Sequence, residues 1–247
     1  MAGLTGVTGL TGLDRPLDGP GTPEAVWAGC RELPRLAPWR PQVRRGGRVV
    51  VVAPHPDDEV LGCGGAAALL AAAGEEVVTV AVTDGEASHL GRSAELRRRR
   101  PAESAAAAAV LGTTSATIHR LGLADGDVRP ADVAAVVGPL LGPGDLVLAP
   151  WVLDGHPDHE AVGCGCTTAA RQVGAHLVSY LVWAWHWASP ADVPWPDAVR
   201  VDLGPELTRR KQLAVRCFTS QLEGPDPVLT PAVVERLTRP FEVLLSR

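Results

Sequence analysis

The sequence predicts an α/β protein whose mostly parallel sheet is covered by helices on both faces. Between residues 49 and 170, short apolar runs alternate with helical segments, which is typical of right-handed, parallel βαβ units. The first run is four consecutive valines at 49–52, as expected of a strand buried on both faces. A similar run at 145–150 also ends at Pro, and His and Asp residues follow each run. This ordering resembles a Rossmann-like fold with polar residues at the carboxyl edge of the sheet.

The first 48 residues differ in composition from the rest and are predicted to form an N-terminal extension. Residues 3–13 repeat Thr and Gly, a low-complexity pattern that does not nucleate a helix. Thr22-Pro23-Glu24 resembles a helix start, with Thr22 as the cap and Trp27 as the anchor of the short helix. A Pro-rich linker follows. We therefore divide the chain into an extension, residues 1–48, and one α/β domain, residues 49–247.

The residues after the first strand favour metal binding. His55, Asp57, Asp58 and Glu59 cluster directly after Pro54, and like charges this close disfavour one another unless a cation lies among them. His55 and Asp58 are three residues apart and can bind one ion, while Asp57 can point elsewhere. The alternative is that Asp57 and Asp58 only cap the following helix, which is expected to run from Gly62 to about Ala73.

The next elements are a strand at 77–82 and a helix at 93–112, which follows the turn that contains Asp84. Asp84 is expected either to bind substrate, to accept a hydrogen bond from a metal-ligating His, or only to form an Asp-Gly turn. Pro101 should kink or divide the helix. Four Arg residues at 97–100 are either a solvated helix face or a contact for an anionic substrate group.

A second polar cluster follows the strand at 145–150, which a short strand at 118–121 and a helix at 130–141 precede. It contains His156, Asp158 and His159. With His55 and Asp58, His159 completes a set of two His and one carboxylate with an open position for water, the ligand count of a catalytic zinc site. Asp57 and His156 remain for proton transfer.

The C-terminal part is rich in Trp. Residues 180–187 are predicted to form a strand that places Trp183, Trp185 and Trp187 on one face and His186 on the other. The Trp face is either core or a platform for a sugar ring or acyl chain, and His186 is either a core residue or a substrate contact. A helix is expected at 207–222.

The two clusters together resemble a known family. Ala53-Pro54-His55-Pro56-Asp57-Asp58-Glu59 with Gly155-His156-Pro157-Asp158-His159 is similar to the signature pair of the PIG-L/LmbE-like zinc-dependent N-acetylglucosaminyl deacetylases. The resemblance implies that His55, Asp58 and His159 bind the metal, zinc or alternatively ferrous iron. It further implies Asp57 as the general base and His156 as the group that stabilises the tetrahedral intermediate.

The same resemblance suggests roles outside the signature pair. An Arg-x-x-Glu pattern is matched by Arg100 and Glu103, which implies an Arg near the substrate, and Asp125 is the candidate to bind sugar hydroxyls. Lys211 and Gln221 match the C-terminal pattern of the family without an assigned role. At position 154, where some members place a Tyr that holds the oxyanion, this chain has Asp154.

The composition of the chain argues against several classes of binding partner and indicates a cellular compartment. A net charge of −5 and a pI near 5.8 argue against a nucleic-acid or anionic-membrane surface. Five Cys residues without a Cys-x-x-Cys pair are typical of a reducing compartment. With no secretory signal or membrane span evident in the sequence, we expect a cytoplasmic protein that acts on a small N-acylated molecule, and a homo-oligomer is left open.

We therefore predict a metal-dependent hydrolase that cleaves a linear amide C–N bond. It would remove an N-acyl group, acetyl by preference, from an amino sugar, a related small molecule or a natural-product intermediate. Asp57 would take a proton from water and return it to the amine, and Asp158 would support the orientation and positive charge of His156. The alternatives are a metal-dependent phosphoesterase, and a metal- or sugar-binding protein without turnover. A dinucleotide is not expected, because Gly62-Cys63-Gly64-Gly65 lies inside a helix rather than in the turn after the strand.

Overall fold

A computed structural model describes residue 17, residues 19–113 and residues 118–246 of the chain. The predicted Thr-Gly repeat at 3–13 lies outside these residues. Their strands form one sheet in the order β1-β7-β8-β6-β5-β2-β3-β4. The strands are β1 Ala37–Pro38, β2 Val49–Ala53, β3 Val77–Ala81, β4 Ile118–Arg120, β5 Leu146–Pro150, β6 His176–Tyr180, β7 Ala198–Asp202 and β8 Phe241–Leu245.

The sheet is mostly parallel, as predicted. Strand β2 pairs in parallel with β3 and β5, and the parallel pairing continues to β4 on one side and to β6 on the other. Only β8 runs against its neighbours β6 and β7. The five residues of β2 are all buried, which agrees with a central strand covered on both faces.

Helices cover both faces of the sheet, and two large apolar clusters lie between the helices and the strands. The helices are α1 Glu24–Ala28, α2 Asp58–Ala72, α3 Ser93–Leu111, α4 Pro130–Val137, α5 Pro157–Val173, α6 Ala184–Trp187, α7 Pro205–Val215, α8 Thr219–Leu222 and α9 Pro231–Leu237. Helix α2 begins at Asp58, four residues before the expected start. Helix α3 continues through Pro101, because the Ala-rich half that follows Pro101 has a strong helix propensity and proline removes one backbone donor.

The prediction of a strand at 180–187 is wrong. Strand β6 ends at Tyr180, and the short helix α6 follows. The reason is a buried carboxylate, since Asp154 accepts hydrogen bonds from the backbone N–H groups of Val182, Trp183 and Ala184. These groups are therefore not available to a strand partner. The three Trp residues do not share a strand face, and the helix expected at 207–222 is divided into α7 and α8.

The segment before residue 49 packs against the rest of the chain. Trp27 is fully buried, and its Nε1 donates a hydrogen bond of 3.0 Å to the carbonyl of Trp185. Strand β1 pairs in parallel with β7 at the edge of the sheet. Thr22 does not cap helix α1, because its hydroxyl donates to the carbonyl of Ala188 instead.

Candidate active site

The two predicted clusters meet at the carboxyl ends of β2 and β5, which are neighbours in the sheet. Asp58 Oδ2 lies 3.2 Å from Nδ1 of His55 and 3.1 Å from Nε2 of His159. The ring centroids of the two His residues are 5.4 Å apart. The three side chains are buried, and one ligand atom from each lies within 4.8 Å of the others. The topology thus assembles the set that the sequence predicts.

This set fits a divalent cation. Nε2 of His159 is buried and has no hydrogen-bond partner among the described residues, although it lies beside a carboxylate oxygen. Two imidazole nitrogens and a carboxylate oxygen are donors that zinc and ferrous iron accept. Separations of 3.1 to 3.2 Å between donor atoms are compatible with two ligands on one ion, whose individual bonds are about 2.0–2.2 Å long.

The second nitrogen of His159 is held by Asp154. Nδ1 of His159 lies 2.8 Å from Asp154 Oδ2, and neither side chain is exposed. Because the carboxylate can only accept, Nδ1 carries a hydrogen, and in the neutral ring, the form that binds a metal, Nε2 has its lone pair on the side of Asp58. Asp154 therefore fixes the tautomer that a metal ligand needs, in place of the oxyanion contact that some family members make with a Tyr.

The second nitrogen of His55 lies between two carboxylates. Nε2 is 3.1 Å from Asp158 Oδ2 and 3.1 Å from Asp125 Oδ1. Backbone N–H groups of Gly126 and Val128 donate to Asp158. Asp158 is expected to support His156, and the structure adds a second contact: its carboxylate lies against His55, while its backbone N–H donates to Nδ1 of His156. Asp125, which is expected to bind substrate hydroxyls, also contacts Nε2 of His55.

The carboxylates attract positive charge to this place. Burial disfavours the imidazolium of His159, but Asp58 and Asp154 outweigh burial and raise its pKa to about 9. Burial also opposes charge on His55, yet the carboxylates of Asp125, Asp158 and Asp58 hold its pKa well above the usual range. Burial favours the neutral form of Asp58, but its two imidazole partners lower its pKa. Bound protons or a divalent cation can satisfy this demand.

Asp57 directly precedes Asp58 of this set, and its carboxyl group does not cap helix α2. It occupies the N-cap position of α2 but makes no side-chain cap hydrogen bond, so the interpretation of Asp57 as a simple cap is not supported. Its φ of 129° is a strained conformation for a residue with a side chain and costs on the order of 1–3 kcal/mol. Burial raises the pKa of Asp57 to about 8. The negative charges of Asp58 and Glu59 act in the same direction, and the guanidinium of Arg100 opposes them.

The structure identifies which Arg of the basic run faces Asp57. Arg100 is 2% exposed, and its Nη2 lies 3.2 Å from Asp57 Oδ2. It also donates to the carbonyls of Pro56 and Gly85. By contrast, Arg97 pairs with Glu86 and Arg99 with Glu103. The Arg-x-x-Glu pattern therefore combines one residue at the site with a Glu that accepts hydrogen bonds from Thr219 and Ser220.

His156 is held as a neutral imidazole. Its Nδ1 accepts a hydrogen bond of 3.2 Å from the backbone N–H of Asp158, so the hydrogen of the ring is placed on Nε2. Burial and the nearby imidazoles of His55 and His159 lower its pKa to about 3. The burial and the hydrogen bond to Nδ1 therefore favour a neutral His156 over the expected positively charged one. Its ring lies 4.9 Å from that of His55 and stacks at 6.3 Å against Trp183.

Two further predicted residues have other partners. Asp84 accepts two hydrogen bonds from Arg120 at the end of β4, and the carboxylates that hold the two His ligands are Asp154, Asp158 and Asp125 instead. His186 is buried and lies 2.9 Å from Nη2 of Arg236. This contact favours a packing role for His186 over a substrate contact.

Sequence reasoning missed Asp154 as the partner of His159. The residue is five positions before His159, and a single Asp in a turn carries no periodicity that would indicate which nitrogen it holds. Its one signal was the departure from the family's Tyr at this position.

Within the described ranges, no helix combines the length and apolar character needed to cross a membrane.

Comparison with known families agrees with the geometry. Residues 50–170 match the PIG-L family, described as GlcNAc-PI de-N-acetylase. These residues include both signature clusters, the loops that carry Asp84 and Asp125, and helix α3 with Arg100. No curated protein sequence matches the chain.

Solved structures share the fold. N,N'-diacetylchitobiose deacetylase from Pyrococcus horikoshii is 23% identical, with 81% of this chain and 79% of that chain covered and a TM-score of 0.61. The A40926 pseudoaglycone deacetylase Dbv21 is 22% identical, with coverage of 83% and 97% and a TM-score of 0.60. GalB, the 4-carboxy-2-hydroxymuconate hydratase from Pseudomonas putida, is 20% identical, with coverage of 78% and 83% and a TM-score of 0.53. Because a hydratase shares the fold, the site has to carry the functional argument.

Proposed function

Because the chain belongs to the PIG-L family, we propose that it is a metal-dependent hydrolase that removes an N-acyl group, acetyl by preference, from an amino sugar or a related small molecule. The bond cleaved would be a linear amide C–N bond, and the products would be a primary amine and a carboxylic acid. Zinc is the proposed cofactor, with ferrous iron as the alternative.

One observation carries this proposal. Asp58 lies between two buried imidazoles, each of which has a carboxylate on its other nitrogen. Asp57, directly before Asp58 in the chain, keeps a carboxyl group that does not cap the helix. A set of ligands with fixed tautomers beside a carboxyl group that does not cap the helix is typical of a hydrolytic metal site.

The residues proposed to hold the cation are His55, Asp58 and His159. When bound, such a cation polarises a carbonyl oxygen and lowers the pKa of water, which is the Lewis-acid chemistry that amide hydrolysis needs. Asp154 acts on this cation through His159, and Asp158 and Asp125 act through His55. They are positioning residues rather than catalytic residues.

Asp57 would move the proton. Arg100 holds its Oδ2, and we take the other carboxylate oxygen, Oδ1, as the one that accepts a proton from the attacking water. A pKa raised by burial makes this carboxylate a stronger base than an exposed Asp, and a nearby cation would return the pKa toward its usual range. The same oxygen can then donate the proton to the leaving amine.

His156 would donate a hydrogen bond to the developing oxyanion. The hydrogen on Nε2, fixed by the contact of Nδ1 with the backbone of Asp158, makes the neutral ring a donor at this nitrogen. A preorganised donor of this kind typically lowers the barrier by a few kcal/mol. Trp183, stacked against His156, offers an aromatic wall beside this donor for the sugar ring or the acyl group.

The surroundings of the site support a small-molecule substrate and a cytoplasmic location. All five Cys residues are unpaired, which supports a reducing compartment. The net charge of −5 gives no electrostatic attraction for nucleic acid or an anionic membrane.

Turnover tests the proposal. The zinc-loaded protein is incubated with N-acetylated amino sugars and disaccharides, N-acetylated glycopeptides and N-acylated thiol conjugates, and the primary amine released is measured. We expect release from at least one amino sugar, and we expect the Asp57→Asn variant to bind zinc without releasing amine.

Three other functions give different results in this experiment when an unsaturated acid and a phosphate ester are added to the panel. A binding protein without turnover would hold zinc and a sugar and release no amine from any member of the panel. A hydratase like GalB or a phosphoesterase would also release no amine, and the first would change the absorbance of an unsaturated acid while the second would release inorganic phosphate. Either result, with zinc bound, would contradict the proposed amide hydrolysis.

A further inference from the structure

Helix α2 is interrupted one turn after it begins. Cys63 has φ −147° and ψ 19°, which are not helical values. The interruption separates a single turn, which starts at Asp58, from the rest of the helix. Since Asp58 is a proposed metal ligand, the direction of this turn decides where its carboxylate lies.

Two buried charged side chains from distant parts of the chain bind the backbone at the interruption. Nζ of Lys211, in α7, donates to the carbonyl of Leu61 at 2.9 Å. The carboxylate of Glu242, in β8, accepts from the backbone N–H of Gly65 at 2.7 Å and of Ala66 at 2.8 Å. In an uninterrupted helix, these N–H groups would donate to the carbonyls of Leu61 and residue 62.

Lys211 and Glu242 also bind each other. Their charged groups are 2.6 Å apart, and the two side chains are 1% and 2% exposed. Together they act as two caps, since the Lys satisfies the end of the first turn and the Glu satisfies the start of the second segment. This is the function of side-chain caps at ordinary helix ends, here placed in the middle of one helix.

Stability alone does not account for this ion pair. The desolvation of two buried charges offsets much of their attraction, and apolar replacements of buried ion pairs are often neutral or stabilising. The backbone at the interruption gives a different reason, because only a donor and an acceptor at these two places can satisfy it. Gly62 contributes as well, since a Cβ at this position would overlap the ring of Tyr180, whose hydroxyl donates to Val52 at the end of β2.

We propose that the Lys211–Glu242 ion pair is a positioning device that holds the interrupted turn of α2 and thereby sets the place of Asp58 in the metal site. The inference rests on the proposed function, because it takes Asp58 as a metal ligand. Neither Lys211 nor Glu242 touches the reacting groups, so they act through the backbone of α2. The device connects Lys211 in α7 and Glu242 in β8 to a site whose residues lie between His55 and His159 in the chain.

Metal binding tests the proposal independently of turnover. The variants are Glu242→Gln and Lys211→Met, and each is measured at a temperature well below its Tm, where it is folded. Zinc affinity is measured by competition with a chelator, and the cobalt-substituted protein is examined by its visible absorption spectrum. We expect zinc affinity to fall about ten- to a hundredfold, as for other residues behind a metal ligand, and the cobalt bands to shift because the position of Asp58 changes.

A matched control is present at the opposite edge of the sheet. Asp145 is buried, accepts from the backbone N–H of Arg48 and Gly142, and pairs with the Arg48 side chain. Asp145→Asn therefore removes a similar buried interaction at the amino end of β5, whereas the site lies at the carboxyl ends of β2 and β5. We expect it to lower Tm while zinc affinity and the cobalt spectrum stay unchanged.

Each outcome of these measurements supports or overturns the positioning role of the ion pair. If Glu242→Gln and Lys211→Met lower Tm but keep wild-type zinc affinity and spectrum, as in Asp145→Asn, the positioning role is wrong. If these variants do not fold, Lys211→Arg and Glu242→Asp replace them, and unchanged metal binding in both again overturns the proposal. A wild-type chain that binds no zinc contradicts the proposed function itself, whereas wild-type binding with unaffected variants contradicts only the positioning role.

Discussion

Three imidazoles lie within one site, and their second nitrogens distinguish their functions. His159 and His55 each place one nitrogen against a carboxylate and therefore direct the other toward Asp58. His156 instead accepts a backbone N–H at Nδ1, which keeps the ring neutral and its Nε2 hydrogen available. In the proposed function, the same residue type thus serves as ligand or as hydrogen-bond donor because its neighbours differ.

Asp57→Asn should separate catalysis from metal binding. The amide cannot accept the proton of water, so we expect the rate of amine release to fall about 10²- to 10⁴-fold while zinc affinity stays near that of the wild type. Initial rates and chelator competition measure the two quantities. His159→Ala is the contrasting variant and should lose both together. Near-full activity of Asp57→Asn would show that another group is the base.

Stability of the metal-free protein should decrease between pH 6.5 and 9. The pKa of His159 is raised from 6.5 to about 9 in the folded chain, so its stabilising contribution is complete below pH 6.5 and is lost as pH rises through 9. The pKa of Asp57 is also raised, to about 8, and therefore acts in the same direction. His159 alone corresponds to on the order of 3 kcal/mol.

Chemical denaturation of the chelator-treated protein at several pH values measures this decrease. Saturating zinc should abolish it, because a bound cation replaces the protons on the ligands. The His159→Ala variant should show a smaller decrease than the wild type. A metal-free protein that gains stability over this pH range would contradict the assignment of raised pKa values to these residues.

Single secondary-structure elements position these groups through close packing. Helix α2 approaches β6 so closely that Gly62 lies against the ring of Tyr180. The helix can then place its first turn over the end of β2, to which Tyr180 is hydrogen-bonded. The absence of a side chain at Gly62 therefore decides how near the metal-binding turn lies to the sheet.

Gly62→Ala should destabilise the protein by about 1–3 kcal/mol, the usual effect of overpacking in a core. The control is Gly138→Ala, where an added methyl group meets only Ala169 at 3.9 Å. This change should be neutral or stabilising by up to about 1 kcal/mol. Urea denaturation of both variants measures the difference, and equal stabilities would show that the Tyr180 contact is not a constraint.

The whole molecule joins the segment before the first central strand to the C-terminal part. Trp27 packs edge-on against Trp185 at 4.8 Å, and Arg239 pairs with Glu24. Strand β1 extends the same sheet beside β7. We therefore propose that residues from about 19 onward unfold together with the α/β domain rather than separately.

Trp27→Ala should then destabilise the entire chain by about 3–5 kcal/mol, as for other buried Trp residues. Unfolding should remain a single transition when it is followed by far-UV circular dichroism and by zinc release. Val26→Ala, at a neighbouring residue that is 43% exposed, is the control and should have little effect. A first transition that leaves zinc bound would indicate an independent N-terminal unit.

Much of the central sheet was predictable because its signals are local. Four valines and a following Pro indicate a buried strand and its end without knowledge of any partner. The C-terminal part was not predictable in this way. Residues 180–187 carry a strand-like pattern, but Asp154, almost thirty residues earlier, binds their backbone N–H groups. Tertiary contacts override local propensity at such places.

The sequence alone determined the candidate ligand set, His55, Asp58 and His159, because residue types and their spacing after two strands are written in order along the chain. The tertiary structure decided which groups contact them: Asp154 on His159, Asp158 and Asp125 on His55, and, out of four neighbouring Arg residues, Arg100 on Asp57. These choices depend on distances between segments far apart in the chain. Hydrogen bonds act over about 3 Å in space and carry no mark in sequence position.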